Sequence, residues 1–198
     1  MADTTDQTDA NQTDDGPFAA SKHDAGGQAQ DQFGYTHGDQ VAARAVTIMK
    51  PVAEVFAYFR DFANLPHFME NVVSIEVLDA NRSHWVVKAP LDRTVEWTAV
   101  VTDEAENRFI AWESEPGADV PNSGRVEFRD AGARGTVVTA TILYEPPLGV
   151  IGKIVAKMFQ REPAIQARRD LRRFKQLMET GEIATPAINQ KQFEEMGL

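Results

Sequence analysis

The 198-residue chain contains no cysteine, which excludes disulfides, thiolate nucleophiles and zinc–thiolate sites. It also has no apolar run near the ~20 residues that a membrane-crossing helix needs, so a soluble or at most peripheral protein is expected. The opening MADTTDQTDANQTDDG lacks the basic and apolar regions of a secretory signal, and the expected location is cytoplasmic. No Gly-x-Ser-x-Gly nucleophile motif occurs, and no glycine-rich phosphate loop opens a helix. His67 and Glu70 share a helical spacing of three, but a metal needs further ligands. The other histidines are His84, on an outward-facing strand position, and His23 and His37 in the acidic N-terminal stretch. The expectation is therefore no metal site, no cofactor and no catalytic set, with His67 at the rim of a cavity where its charge could tune entry near neutral pH.

What is present is charge of uneven sign. The net charge is -10, and residues 1–40 hold eight Asp against Lys22 alone. Residues 148–180 reverse the balance with Lys153, Lys157, Arg161, Arg168, Arg169, Arg172, Arg173 and Lys175 against Glu162, Asp170 and Glu179. An acidic body is poorly suited to general nucleic-acid binding, whose affinity comes mainly from phosphate neutralisation. The basic segment has two readings, a solvated helix face and a transient contact with an anionic membrane through Arg168, Arg169, Arg172 and Arg173.

Residues 1–40 carry few large apolar groups and are expected to be a disordered acidic tail. Residues 41–182 form the expected domain, and 183–198 a C-terminal tail. VAARAVTI (41–48) reads as a strand. PVAEVFAYFRDF follows as a short helix whose Val52, Val55, Phe56 and Phe59 share one face. A second helical piece over Leu65–Met69 is expected, capped by Asn64. Residues 72–145 then read as six strands: VVSIEVLD, HWVVKA, TVEWTAVVTD, RFIAWESE, RVEFR and TVVTATILYE, an antiparallel meander. PGADVPNSG is the longest link. From residue 148 a helical period runs over about thirty residues, interrupted at Pro163.

This order, and the wording of KPVAEVFAYFRDFANLPHFMENV, WESEPGADVPNSGRVEFRDAGARGTVVTATILYEPPLGVIGK and EPAIQARRDLRRFKQLMETGEI, resembles the SRPBCC (START-like) superfamily over residues 41–185. Within it the chain is similar to the bacterial branch of polyketide cyclase/dehydrase, lipid-transport and coenzyme-Q-binding-like proteins. The resemblance implies an α+β helix-grip fold: a seven-stranded curved antiparallel sheet around a long C-terminal helix, with two short helices after the first strand. It also implies a deep apolar cavity.

Strand alternation places Trp85, Val87, Trp97, Ile110, Trp112, Phe128, Ile142 and Tyr144 on one face, with His84, Glu96, Glu113, Arg125 and Glu127 on the other. Plain core packing would use the same inner residues; the resemblance is what implies a ligand among them. Phe68 and Met69 from the short helix, and Ile151, Val155 and Phe159 from the helical stripe, complete the expected lining. The leading expectation is binding or carriage of a hydrophobic small molecule, such as a lipid, an isoprenoid or a polyketide-like compound. A cyclase or dehydratase acting on an aromatic or polyketide substrate is the alternative, with Tyr144 as the inward candidate group, and a protein-interaction module is the third.

Overall fold

The computed structural model describes residues 40–89, 91–144 and 163–184. The acidic N-terminal stretch, the first part of the basic helical stretch and the C-terminal tail lie outside the described residues, as do Ile151, Val155 and Phe159. Seven strands, β1 (Gln40–Ile48), β2 (Val72–Val77), β3 (Arg82–Ala89), β4 (Arg93–Ala105), β5 (Phe109–Ser114), β6 (Asn122–Asp130) and β7 (Thr136–Tyr144), form one sheet. Its order is β1-β7-β6-β5-β4-β3-β2, and every neighbouring pair is antiparallel. Strands β2 to β7 are a meander of sequential neighbours. β1 joins the far edge beside β7, so the segment between β1 and β2 must cross the width of the curled sheet.

That segment holds helix α1 (Val52–Arg60) and a 3-10 helix (Phe62–His67). Helix α1 buries Val55, Phe56 and Phe59, the face expected from their spacing. The second piece begins earlier than expected: its cap is Asp61, whose carboxylate accepts the Ala63 N–H at 3.3 Å. Asn64 instead donates its side-chain amide to the Tyr58 carbonyl at 3.3 Å, so it braces the helix from within.

Helix α2 (Pro163–Thr180) starts at the proline. Proline suits that position because its missing N–H would have no partner in a first turn. Gly181, with φ +77°, closes the helix by donating its N–H to the Leu177 carbonyl at 2.8 Å. No helix among the described residues is long and apolar enough to cross a membrane.

Side chains that look charged and exposed in the sequence tie α2 to the rest. Lys175 Nζ donates to the Thr47 carbonyl, and Glu179 accepts the Met49 N–H, so its last turns hold the end of β1. Arg173 Nε donates to the Phe68 carbonyl at 3.0 Å, which anchors the 3-10 helix to the middle of α2. Beneath these ties lies an aromatic cluster. Phe68 stacks on Phe174 with ring centres 4.6 Å apart, and Phe59 meets Phe68, Phe128 and Phe174 at 6.1, 5.7 and 5.7 Å. Phe68 and Phe174 are fully buried.

Candidate functional site: an apolar cavity under the terminal helix

The aromatic cluster fills only one end of the space between sheet and helix. Along α2, Phe174 and Met178 pack into the core, whereas Gln166, Ala167, Asp170 and Leu171, one to two turns earlier on the same face, line an open cavity of about 230 Å³. Small inward residues, among them Ser83, Ala99 and Ala140, help to leave this room between the larger side chains. Gly124 has a related role. It lies opposite Trp112 in the β5–β6 register, and any Cβ at 124 would collide with the indole and with the Thr141 carbonyl. The stretch Asn122–Gly124, read from sequence as part of a link, is therefore strand.

Nine of the expected lining residues face this cavity: Phe68, Met69, Trp85, Val87, Trp97, Ile110, Trp112, Ile142 and Tyr144. Phe128 does not. Its inward parity is as expected, but Phe56 at 5.3 Å and Phe59 at 5.7 Å close over it, so it belongs to the packed end. Ala99, Val126 and Ala140, on the expected inward parity, line it too, whereas Phe59, Phe62, Leu65, Asn71, Val72, Ser83, Val101, Val120, Asn122, Gln166, Ala167, Asp170 and Leu171 were not expected in the lining. For α2 the signal was there: Gln166, Asp170, Phe174 and Met178 recur every fourth residue and so share one helical face.

The wall is apolar with its polar atoms mostly spent on one another. Trp85 and Trp97 stack with ring centres 6.1 Å apart. The Trp85 indole N–H donates to Ser83 Oγ at 2.9 Å, and that of Trp112 to Asn122 Oδ1 at 3.1 Å. Asn122 Nδ2 donates to the Val120 carbonyl at 2.9 Å. Burial pushes the Tyr144 phenol above its usual range, so it stays neutral at physiological pH.

Asp170 is different. Burial raises its carboxyl from an ordinary 3.8 to about 6, against the lowering effect of hydrogen bonds from Gln166 and the Glu70 N–H and of the nearby Arg173 charge; the Glu70 charge adds to the rise. Gln166 Nε2 and the Glu70 N–H both reach the same oxygen, Oδ1, at 3.0 and 3.4 Å.

His67 and Glu70 do not act as a pair. The 3-10 helix ends at His67, so Glu70 lies beyond it and points to Arg169 at 3.4 Å, while His67 Nδ1 shares a hydrogen bond with the Tyr58 hydroxyl at 3.2 Å. His67 is exposed and is not part of the lining. Among the described residues no group of three or more His, Asp or Glu converges as a metal site. Of the basic residues on α2, Arg173 turns inward and Arg169 is paired. Arg168 and Arg172 are exposed with no partner among the described residues.

The family model for polyketide cyclase/dehydrase and lipid transport proteins matches residues 40–179, nearly all of the described structure. The chain belongs to this family. A solved structure from Deinococcus radiodurans is 42% identical, with a TM-score of 0.59, over 73% of this chain and 100% of that one. A Thermus thermophilus protein is 22% identical, with a TM-score of 0.60, over 70% and 97% of the two chains. An aromatase/cyclase from Streptomyces sp. R1128 shares the fold at 14% identity, with a TM-score of 0.58 over 73% and 99%. No curated protein matches the chain. Family membership and cavity together make this a fold for holding hydrophobic ligands.

Proposed function

We propose that the protein binds or carries an apolar small molecule of the lipid, isoprenoid or polyketide-like kind, held between the tryptophan wall and helix α2. The observation that carries this reading is the cavity of about 230 Å³ whose polar wall atoms are largely paired with one another, leaving an apolar surface for contact. The volume suits a compact ligand: a cavity of about 150 Å³ already takes benzene, so a two-ring compound or a short chain is the natural fit. Native mass spectrometry of protein purified without detergent, followed by equilibrium dialysis against 2-methylnaphthalene, tests it. Stoichiometric uptake supports the reading; absence of uptake at the solubility limit of the probe overturns it.

A second reading, a cyclase or dehydratase, is favoured by Asp170 and Tyr144 lining the same cavity. A carboxyl with a pKa near 6 is suited to proton transfer at neutral pH. Loss of turnover with retained product binding in Asp170→Asn supports that reading, and binding without turnover of any aromatic or polyketide substrate counts against it. In either case, ligand exchange at an anionic membrane would fall to Arg168 and Arg172, the exposed charges on α2 that have no partner among the described residues.

A further inference from the structure

The polar atoms around the cavity are unequally used. Ser83 accepts from Trp85, and both side-chain ends of Asn122 are engaged, so these groups have little left for a ligand. Asp170 receives two hydrogen bonds, and both fall on Oδ1. Its second oxygen, Oδ2, receives none from the described residues. Asn71 and Gln166 line the cavity beside it, and the Asn71 side chain and Gln166 Oε1 likewise make no hydrogen bond among the described residues. The cavity therefore has one polar corner, at the junction of the β2 lead-in with α2. Of the other polar side chains of the lining, Ser83, Trp85, Trp112 and Asn122 are hydrogen-bonded within the protein, and the Trp97 indole N–H is a donor with no hydrogen bond among the described residues.

We propose that Asp170 Oδ2 is the ligand's polar anchor, and that the cavity selects a compact apolar alcohol or phenol whose hydroxyl donates to this oxygen while its ring or chain lies on the tryptophan wall. This rests on the hydrophobic-ligand reading and names the ligand class within it. A carboxylate is an acceptor only, so a ligand carrying a donor is required while Asp170 is charged. A second carboxylate is excluded by repulsion from Asp170 and Glu70. A cationic ligand is attracted by the carboxylate but carries the larger desolvation cost of bringing a full charge into an apolar cavity. A neutral hydroxyl meets neither objection, and a hydrogen bond to a charged acceptor away from water is among the stronger ones.

The test is equilibrium dialysis of the full chain at pH 7.5 against 2-naphthol and 2-methylnaphthalene, which match in size and differ in the donor. Wild-type protein should prefer the naphthol by about tenfold or more, the range of a charge-assisted hydrogen bond. Asp170→Leu should reduce that preference to about twofold or less, read as the ratio of the two affinities in the same protein. Asp170→Asn, which keeps the size of the side chain and a weaker neutral acceptor, should give an intermediate preference and covers the case that Asp170→Leu does not fold. Equal affinities in wild type, or an undiminished preference in the foldable variants, overturns the proposal. If neither compound binds, the hydrophobic-ligand reading falls and takes this proposal with it; if both bind alike, only the proposal falls.

Discussion

Asp170→Asn should make the unliganded protein more stable at neutral pH, although it removes a residue with two hydrogen bonds. The folded carboxyl titrates at about 6 against 3.8 for the ordinary group, mainly because burial penalises the charged form. A gap of about two units corresponds to about 3 kcal/mol between the protonation states. The folded-state value is raised, so the native state holds this proton more tightly. The stability contribution is fully present below about pH 4, is lost as pH rises through about 6, and is flat above that. The amide of Asn imitates the neutral acid and can still accept from Gln166 and the Glu70 N–H. Urea denaturation at pH 4 and pH 7.5 should show the variant close to wild type in acid and more stable by up to about 3 kcal/mol at pH 7.5. Comparing the two proteins cancels the other carboxylates, which titrate in both. Parallel curves, or a variant less stable at pH 7.5, would refute the argument that the carboxylate is held in the cavity at an energetic cost. A buried charge retained at such a cost fits a group kept for recognition or chemistry.

Phe174→Ala should cost about 3–5 kcal/mol in urea denaturation, because its ring is fully buried against Phe59 and Phe68 and its removal leaves a cavity among them. Gly124→Val should destabilise by about 1–3 kcal/mol and alter the near-ultraviolet circular dichroism of the tryptophans, since the new side chain must displace the Trp112 indole. Charge reversal of Arg168 and Arg172 together should weaken sedimentation with phosphatidylserine vesicles by at least about tenfold, at ~1 kcal/mol for each basic charge removed; no change would assign these residues to a solvated face.

The inner face of the sheet was legible because successive side chains along a strand point to opposite faces, and the register shifts in β2 and β4 lie away from the tryptophans along the chain. Trp85, Trp97 and Trp112 share one parity, and all three line the cavity. How far the cavity extends was not legible, since parity says which way Phe128 points but not that Phe56 and Phe59 will cover it. Local turn chemistry misled at two places. Asn64 looked like a cap, but Asp61 precedes it and takes that role. Asn122–Gly124 looked like loop, but the sheet needs a glycine there to admit an indole. Asp170 was hidden by its surroundings: among five neighbouring basic residues it looked like charge compensation on a solvated face. Only its fourfold spacing from Phe174 marked it as inward. His67 and Glu70 show the converse, since their spacing suggests a shared face only if the helix continues, and it stops at His67.

On the proposed function, the space between the tryptophan wall and α2 holds an apolar ligand. This is tested most directly by titrating the protein with 2-methylnaphthalene while following uptake by equilibrium dialysis, in wild type and in Ala99→Phe. Ala99 is a small buried residue of the lining, so a ring at this position occupies the volume a ligand would use. Saturable one-to-one uptake by wild type that is lost in a folded Ala99→Phe variant is the predicted result. No uptake by wild type, or uptake unchanged when the cavity is filled, would contradict the account.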